Sequence, residues 1–250
     1  MKKVTVSIVS HGHGEMVINL LDQLSNFSQH IQKVIVTHNI SDKVHRASNE
    51  YPFEIFEVNN FTPLGFGANH NQAFSFCNTD YFCIMNPDIY IVNEPFGQLL
   101  SCFQDASVSI AAPVITDLEG NIDDSARYFP TPIRLLKKIL FREPGSYKIS
   151  LGAGIFFPNW VGGMFMLASK AKYEILTGFD EKYFLYYEDV DLCARSWLLN
   201  YKVALNTEVI VIHDARRSSH ANLKFLRWHV MSAARFFLKY CGRLPISAHK

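Results

Sequence analysis

The 250-residue chain is 48% hydrophobic and 19% charged, with a net charge of +1. That composition fits one large globular α/β domain and excludes a disordered or disulfide-scaffold protein. The charge balance singles out no acidic or basic partner, and no nucleic-acid partner is expected. The longest apolar runs, such as Val209–Ile212, are strand-sized, far below the ~20 residues needed to span a bilayer. No secretory leader is visible, and Cys77, Cys83, Cys102, Cys193 and Cys241 form no C-x-x-C pair, so reduced thiols and a cytoplasmic location are expected.

In chain order, Val4–Ser10 is apolar and β-branched and breaks at His11-Gly12-His13-Gly14, a strand running into a loop. Helical spacing follows over Glu15–Leu24. Lys33–Thr37 and Phe53–Val58 are the next strands, Gly67–Cys77 a helix and Tyr81–Met85 a fourth strand. This alternation predicts a parallel sheet covered on both faces. Val108–Ile115 holds Pro113 and predicts at best an edge or interrupted strand. Leu118–Asn121 is a tight turn and Pro132–Phe141 a short basic helix. Glu188–Leu199 is a helix with acidic residues in its first turn and Asn200 at its C-terminal cap; Val209–His213 is a late strand and Leu223–Cys241 a long helix.

Ligands of open α/β sheets bind at the carboxyl ends of the strands. His11–Gly14, His38-Asn39, Asn86-Pro87-Asp88 and His213-Asp214 all follow strands. Polar loops also occur there without function, but carboxylate, amide and imidazole can each touch a metal or a nucleotide. Asp88 could hold Mg2+ or Mn2+ through oxygen, although Asn-Pro-Asp is also a common turn. His213 could complete such a site or be purely structural. The H-x-H of His11 and His13 lacks a third zinc ligand nearby. The loop from Gly65 to Asn71 reads G-x-G-x-x-H and lacks the third glycine of a dinucleotide fingerprint; close backbone approach to a nucleotide and simple helix capping both fit it. Glu188, Asp189 and Asp191 could supply a general base or merely stabilise a helix N-terminus.

The last stretch has a different charge. Ala215–Lys250 contains no Asp or Glu but carries Arg216, Arg217, Lys224, Arg227, Arg235, Lys239, Arg243 and Lys250. Helical spacing predicts Leu223, Leu226, Val230, Ala233 and Phe237 on one face, with Lys224, Arg227, Arg235 and Lys239 opposite. Core packing and contact with anionic lipid heads both suit that pattern.

Together these segments resemble the family 2 glycosyltransferases, and more closely the bacterial rhamnosyltransferases of O-antigen and cell-wall synthesis. The resemblance runs in order through Val9–His13, Gly65-Phe66-Gly67 with Asn69 and Asn71, Asn86–Ile89, Arg127–Pro130 and Trp160–Leu167. It continues through Gly178–Glu181 and Tyr187–Arg195 to His213 and Arg227-Trp228-His229, and is densest around Glu188–Arg195. It implies a GT-A fold: a mixed, mostly parallel sheet flanked by helices, with a nucleotide-binding half over about 1–115 and an acceptor half over about 116–215. A basic amphipathic helix within 216–250 would pack on the domain as a C-terminal extension.

The resemblance further implies an inverting transferase. Asp189 would be the general base, with Glu188 beside it. Asp88 and His213 would hold Mg2+ or Mn2+. Ser10, His11, Gly12, His38, Asn39, Gly65, Gly67, Asn69, Asn71 and Asn86 would bind the nucleotide sugar. Arg127, Trp160, Gly162, Gly163 and Asp191 would line the acceptor region. The implied reaction moves L-rhamnose from dTDP-L-rhamnose to a sugar, N-acetylglucosamine by expectation, on a polyprenyl diphosphate. The implied location is the inner face of the bacterial inner membrane, with the basic helix on its surface. A UDP-hexose donor, a non-catalytic glycan-binding scaffold and, more remotely, a nucleotide-cofactor oxidoreductase are the rival readings. Three positions depart from the family pattern: His38 stands where Asp usually precedes Asn, Asn86 opens the Asp-x-Asp metal motif, and Asn159 precedes Trp160 where relatives often carry Asp.

Overall fold

The computed structural model describes residues 2–41, 51–123, 126–141, 145–214 and 223–245, the side chains of Leu135, Lys138 and Ile139 excepted. Arg216, Arg217 and Lys250, included in the predicted basic stretch, lie outside the described residues. The elements in order are β1 (Val4–Ser10), α1 (Gly14–Asn26), β2 (Ile31–His38), β3 (Glu54–Asn59), α2 (Phe66–Phe74), β4 (Tyr81–Met85) and β5 (Ile89–Tyr90). Then come α3 (Phe96–Ser101), β6 (Val108–Thr116), β7 (Ala126–Arg127), α4 (Pro132–Phe141), β8 (Ile155–Phe156), β9 (Trp160–Val161) and β10 (Phe165–Ser169). The series closes with α5 (Lys170–Ile175), α6 (Glu188–Leu198), β11 (Lys202–His213) and α7 (Leu223–Lys239).

The main sheet runs β3-β2-β1-β4-β10-β6-β11-β5, with β8 paired to β11, while β7 and β9 form a separate two-stranded pair. The first four strands of this order are parallel, β10 is antiparallel to both neighbours, and β6 and β11 are again parallel. Alternate residues of each strand feed two cores. Val4, Val6, Ile8, Cys83 and Met85 pack against Val17, Leu20 and Leu24 of α1. Phe82, Ile84, Met166 and Ala168 face Tyr173, Val190 and Phe236 on the other side. On that second face β1 is polar: the Thr5 hydroxyl meets Thr79 and the Ser7 hydroxyl meets His70 Nδ1, each at 2.8 Å. Full burial holds the His70 pKa down at about 3, so α2 is fastened to β1 by a neutral imidazole.

Val108–Thr116 is not an edge strand. All nine residues of β6 are buried, and the strand lies between β10 and β11. Pro113 is tolerated there because its partner is irregular: it sits opposite Asn206, and the register of β11 then jumps to Ile210 opposite Val114. The missing N–H thus falls at a bulge. β11 begins seven residues earlier than the predicted strand, at Lys202 rather than Val209. β10 is a central strand absent from the sequence-based expectation.

The C-terminal helix packs on the domain, but through a different face from the predicted one. Leu223, Leu226 and Val230 are exposed, whereas Ser232, Phe236 and Tyr240 are buried. The Ser232 hydroxyl donates to the Leu185 carbonyl at 2.8 Å, and the tilted rings of Phe236 and Tyr240 pack with centroids 4.7 Å apart. No helix among the described residues is long and apolar enough to cross a membrane. All five cysteines are unpaired.

Candidate active site

β1, β2 and β4, together with β11, end on one rim of the sheet, and the antiparallel β10 begins there. Two clusters form along it. The first is made by β5, which pairs antiparallel with the end of β11, Ile89 opposite His213. The Asp214 N–H donates to the Asp88 carbonyl at 3.0 Å, closing the strand pair beside the Asp88 side chain. His213 Nε2 then lies 3.3 Å from Asp88 Oδ1, and Nδ1 lies 3.7 Å from Asp123 Oδ2. Burial works against a charged imidazole, but the Asp123 and Asp88 carboxylates outweigh it and push the pKa up to about 9. Asp123 was not anticipated; it lies 35 residues after Asp88 in a loop with no motif, and only the fold brings it to His213.

Asp88 and His213 suit a divalent cation. Asp88 Oδ1 and His213 Nδ1 are buried, and neither meets a hydrogen-bond partner of good geometry among the described residues. Carboxylate oxygen and imidazole nitrogen are ordinary ligands for Mn2+. Among the described residues no group of three or more His, Cys, Asp or Glu is set to hold a metal. A cation held by these two residues would need further ligands from outside the described His, Cys, Asp and Glu groups. In metal-free protein the raised His213 pKa has a measurable consequence. Its folded-state value exceeds the ordinary ~6.5, so its stabilising effect is complete below that pH and is lost as pH climbs through about 9. With chelator present, the melting temperature should fall across that window, and the fall should shrink in His213→Gln; a parallel decline in both proteins would refute the ion-pair account.

The second cluster is the start of α6. Tyr186 and Tyr187 both adopt positive φ, 70° and 67°, a costly backbone for bulky residues. This sharp entry turns Glu188 and Asp189 inward. Asp189 Oδ2 accepts the Gly163 N–H at 3.0 Å, and Oδ1 accepts the Val190 N–H at 2.8 Å. A Cβ on Gly163 would sit 3.2 Å from the Phe66 ring, so glycine permits this approach. Burial raises the Asp189 pKa, opposed by these N–H groups and by Arg127. Burial and the neighbouring Asp189 charge raise Glu188 well above the carboxylate range, and its Oε2 has no partner among the described residues. The two carboxyls open into a cleft of about 590 Å³ whose walls include Arg127, Arg134, Trp160, Tyr186, Tyr187 and His229. Trp160 is held by its indole N–H on the Tyr128 carbonyl at 3.0 Å, and Arg127 lies over its ring.

The two clusters are joined through the strands. The Asn86 N–H donates to the Met164 carbonyl at 2.9 Å, next to Gly163 and hence to Asp189. Asn86, Asp88, Gly163, Asp189 and His213 therefore share one end of the sheet.

Several other assigned residues have structural duties instead. Asn71 is not open to a nucleotide: it accepts from the Tyr173 hydroxyl and the Phe179 N–H and donates to the Phe179 carbonyl and Glu181. Asn69 is fully buried, donating to Leu64 and Gly65 carbonyls and accepting from Asn60. Asn39 accepts from Asn60 and from the Leu64 N–H, so it shapes the 60–65 loop. Gly65 and Gly67 make room for protein: a Cβ would meet the Phe184 carbonyl oxygen or Phe179 Cβ, each at 2.6 Å. Ser10 is buried and accepts the His13 N–H at 3.1 Å. Asp191 is 0% exposed and paired with Arg195 and Lys239, facing α7 rather than the cleft. Positions two apart on a helix diverge by ~200°, so Asp189 and Asp191 cannot share a face. Gly162 is buried beside Gly163. Asn159 accepts the Phe129 N–H and positions that cleft wall.

At the other end of the rim, His38, Asn39, Ile40, Asn60, Phe61 and Pro63 surround a smaller hollow of about 360 Å³. His38 is buried with Nδ1 unpartnered among the described residues, and its Nε2 lies 3.9 Å from Glu57. His11 is exposed nearby, bonded to Asn39, with its pKa lowered by burial, His13 and Lys224. Gly12 turns the loop beside Ile40 at φ 81°.

No protein-family model matches the chain. The chain is 25% identical to Rhamnosyltransferase WbbL of Escherichia coli (strain K12), over 94% of this chain and 93% of that protein. It is 30% identical to the N-acetylglucosaminyl-diphospho-decaprenol L-rhamnosyltransferase of Mycobacterium tuberculosis (strain CDC 1551 / Oshkosh), over 49% of this chain and 44% of that one. Among solved structures, GalNAc-T7 with UDP, GalNAc and Mn2+ superposes with a TM-score of 0.71 at 12% identity, over 95% of this chain. The chain spans 48% of that structure's length. Sequence likeness along nearly the whole chain and the shared architecture make this protein a glycosyltransferase of GT-A fold, similar to family 2.

Proposed function

We propose that the protein is an inverting rhamnosyltransferase that moves L-rhamnose from dTDP-L-rhamnose to a sugar on a polyprenyl diphosphate, with N-acetylglucosamine as that sugar. The reading is supported above all by Asp189, a carboxylate oriented by two backbone N–H groups, opening into an aromatic and arginine-lined cleft. The rhamnosyltransferase relatives support the choice of sugar, and the mycobacterial relative's name supports the lipid-linked acceptor.

In this reading residues 1–115 carry the donor and 116–215 the acceptor. The hollow beside His38 takes the base, and Asn86 faces the nucleotide sugar. Asp189 accepts the proton of the acceptor hydroxyl as its oxygen bonds to the anomeric carbon; the bond from that carbon to the nucleoside diphosphate breaks, and configuration inverts. Arg127 and Trp160 orient the acceptor. A divalent cation bound by Asp88 and His213 would neutralise the leaving diphosphate. The protein works on the cytoplasmic face of the inner membrane, with α7 against the lipid surface, in the assembly of O-antigen or another cell-surface polysaccharide.

The test is product formation with Mn2+, a lipid-linked GlcNAc acceptor and a donor panel of dTDP-rhamnose and UDP-hexoses. Transfer from dTDP-rhamnose alone is expected. Turnover of a UDP-hexose in its place would replace the donor assignment, and no turnover with any donor would favour a non-catalytic glycan-binding role.

A further inference from the structure

The short helix α4 carries an unassigned surface. Its sequence, PIRLLKKILF, contains no acidic residue. Ile133, Leu136 and Leu140 recur at helical spacing, and they are 70%, 55% and 63% exposed, with Phe141 exposed beside them. Lys137 shares that exposed face. The exposed face of α7 has the same make-up: Leu223, Leu226, Val230 and Leu238 stand out to solvent, together with the exposed basic residues Lys224 and Arg227. Solitary exposed leucines need no explanation, but two helices with apolar outer faces do.

The helices also border the same opening. Arg134 of α4, stacked over the Tyr128 ring at 4.1 Å, and Phe225, Leu226 and His229 of α7 line the cleft that holds Asp189. We infer that α4 and α7 together form an amphipathic rim that seats the protein on an anionic lipid leaflet with the acceptor cleft opening towards it. The inference rests on the proposed lipid-linked acceptor for its purpose, but on exposure and charge for its content. Charge complementarity selects the occupant. Both helices pair apolar side chains with Lys and Arg and lack Asp and Glu, the pattern of an interfacial helix on acidic lipid. A second copy of the same surface would instead oppose cation to cation. Interfacial binding scales with the apolar area buried and with attraction to anionic lipid, so two such helices bind more firmly than one. A lipid-borne diphosphate at headgroup height would then meet Arg134 and Arg127 without leaving the membrane plane.

Vesicle flotation of the full-length protein tests this directly. The probes are phosphatidylcholine vesicles with and without phosphatidylglycerol, and the substitutions avoid cleft residues. Leu136→Asp with Leu140→Asp should lower binding to the anionic vesicles roughly tenfold or more, because two apolar anchors become repelled charges. Lys137→Glu should weaken binding to the anionic vesicles and leave the weak binding to pure phosphatidylcholine unchanged. Circular dichroism and melting temperature verify folding of each variant. Transfer to a soluble acceptor analogue without a lipid chain should match wild type in all of them. Wild-type binding by the α4 double variant overturns the inference, as does a wild-type protein that ignores both vesicle types. A concentration-dependent dimer that the α4 substitutions dissociate also overturns it, since the surface would then be a contact between copies. Vesicle binding that responds as expected in a protein inactive with every donor supports the rim and refutes only the transferase assignment.

Discussion

Asp189→Asn is expected to lower kcat by about 10²–10⁴-fold while donor affinity is nearly unchanged. The amide keeps the shape, but its single oxygen can accept only one of the Gly163 and Val190 N–H groups, so part of the backbone anchoring is kept and part is lost. What disappears is the ability to take the acceptor proton. The neighbouring Glu188 is buried and would be a like charge alongside Asp189, which holds its proton to higher pH. Neutral Glu188 is therefore the natural companion of ionised Asp189. Glu188→Gln imitates that neutral state and should retain most of the activity. Because Glu188 is already neutral when Asp189 ionises, the acid limb of the pH–rate profile should stay where it lies in wild type. In wild type that limb should lie above the ordinary aspartate value, because the base acts only when ionised and burial raises its pKa. Single-turnover rates across pH separate the roles. A silent Asp189→Asn with an inactive Glu188→Gln would exchange the two assignments.

Both carboxyls were legible in the sequence as candidates, because acidic residues at a helix start amid aromatics stand out from an apolar chain. So was the strand-helix alternation over residues 1–90, where each strand is a short apolar run bounded by loop residues. The central position of β6 was hidden by Pro113, since a bulge in β11 some 90 residues later absorbs the missing N–H. The working face of α7 was hidden for a different reason. Lys224, Arg227, Arg235 and Lys239 interrupt its apolar surface, its buried side includes Ser232, and exposed His229 lies beside the ring of Tyr186. Periodicity in hydrophobicity cannot choose that side; hydrogen bonding to Leu185 and ring contacts at the cleft do. Gly65, Gly67, Asn69 and Asn71 were ambiguous in principle. Glycine and amide suit both a ligand and a tightly packed turn; the arrival of residues 178–184, more than 100 positions away, resolves Gly65, Gly67 and Asn71, and the fold of the 60–65 loop resolves Asn69.

Asp191→Ala is expected to destabilise the protein by about 3–5 kcal/mol, the range for removing one partner from a buried ion pair. Asp191 Oδ2 accepts from Arg195 Nε at 2.7 Å, and Oδ1 meets Lys239 Nζ at 2.6 Å and the Tyr240 hydroxyl at 2.9 Å. Arg195 also ties the Leu176 and Gly178 carbonyls, so truncation leaves a largely buried guanidinium short of its countercharge. Lys239 is a third exposed and has a second partner in Asp180, so Lys239→Ala should cost far less. The damage should be felt at both ends of α7, because the anchor at Tyr240 holds the helix whose other end, through Phe225 and His229, walls the cleft. Denaturant unfolding gives the energy, and amide exchange along residues 223–240 gives the location. Faster exchange confined to α7, with an acceptor KM that rises more than kcat falls, is the expected pattern. A loss below about 1 kcal/mol would mean that the apolar contacts of Phe236 secure the helix unaided. Asp189 and Asp191, two positions apart on one helix, would in the expected case divide chemistry from attachment: one faces the acceptor, the other fastens the helix that closes over it.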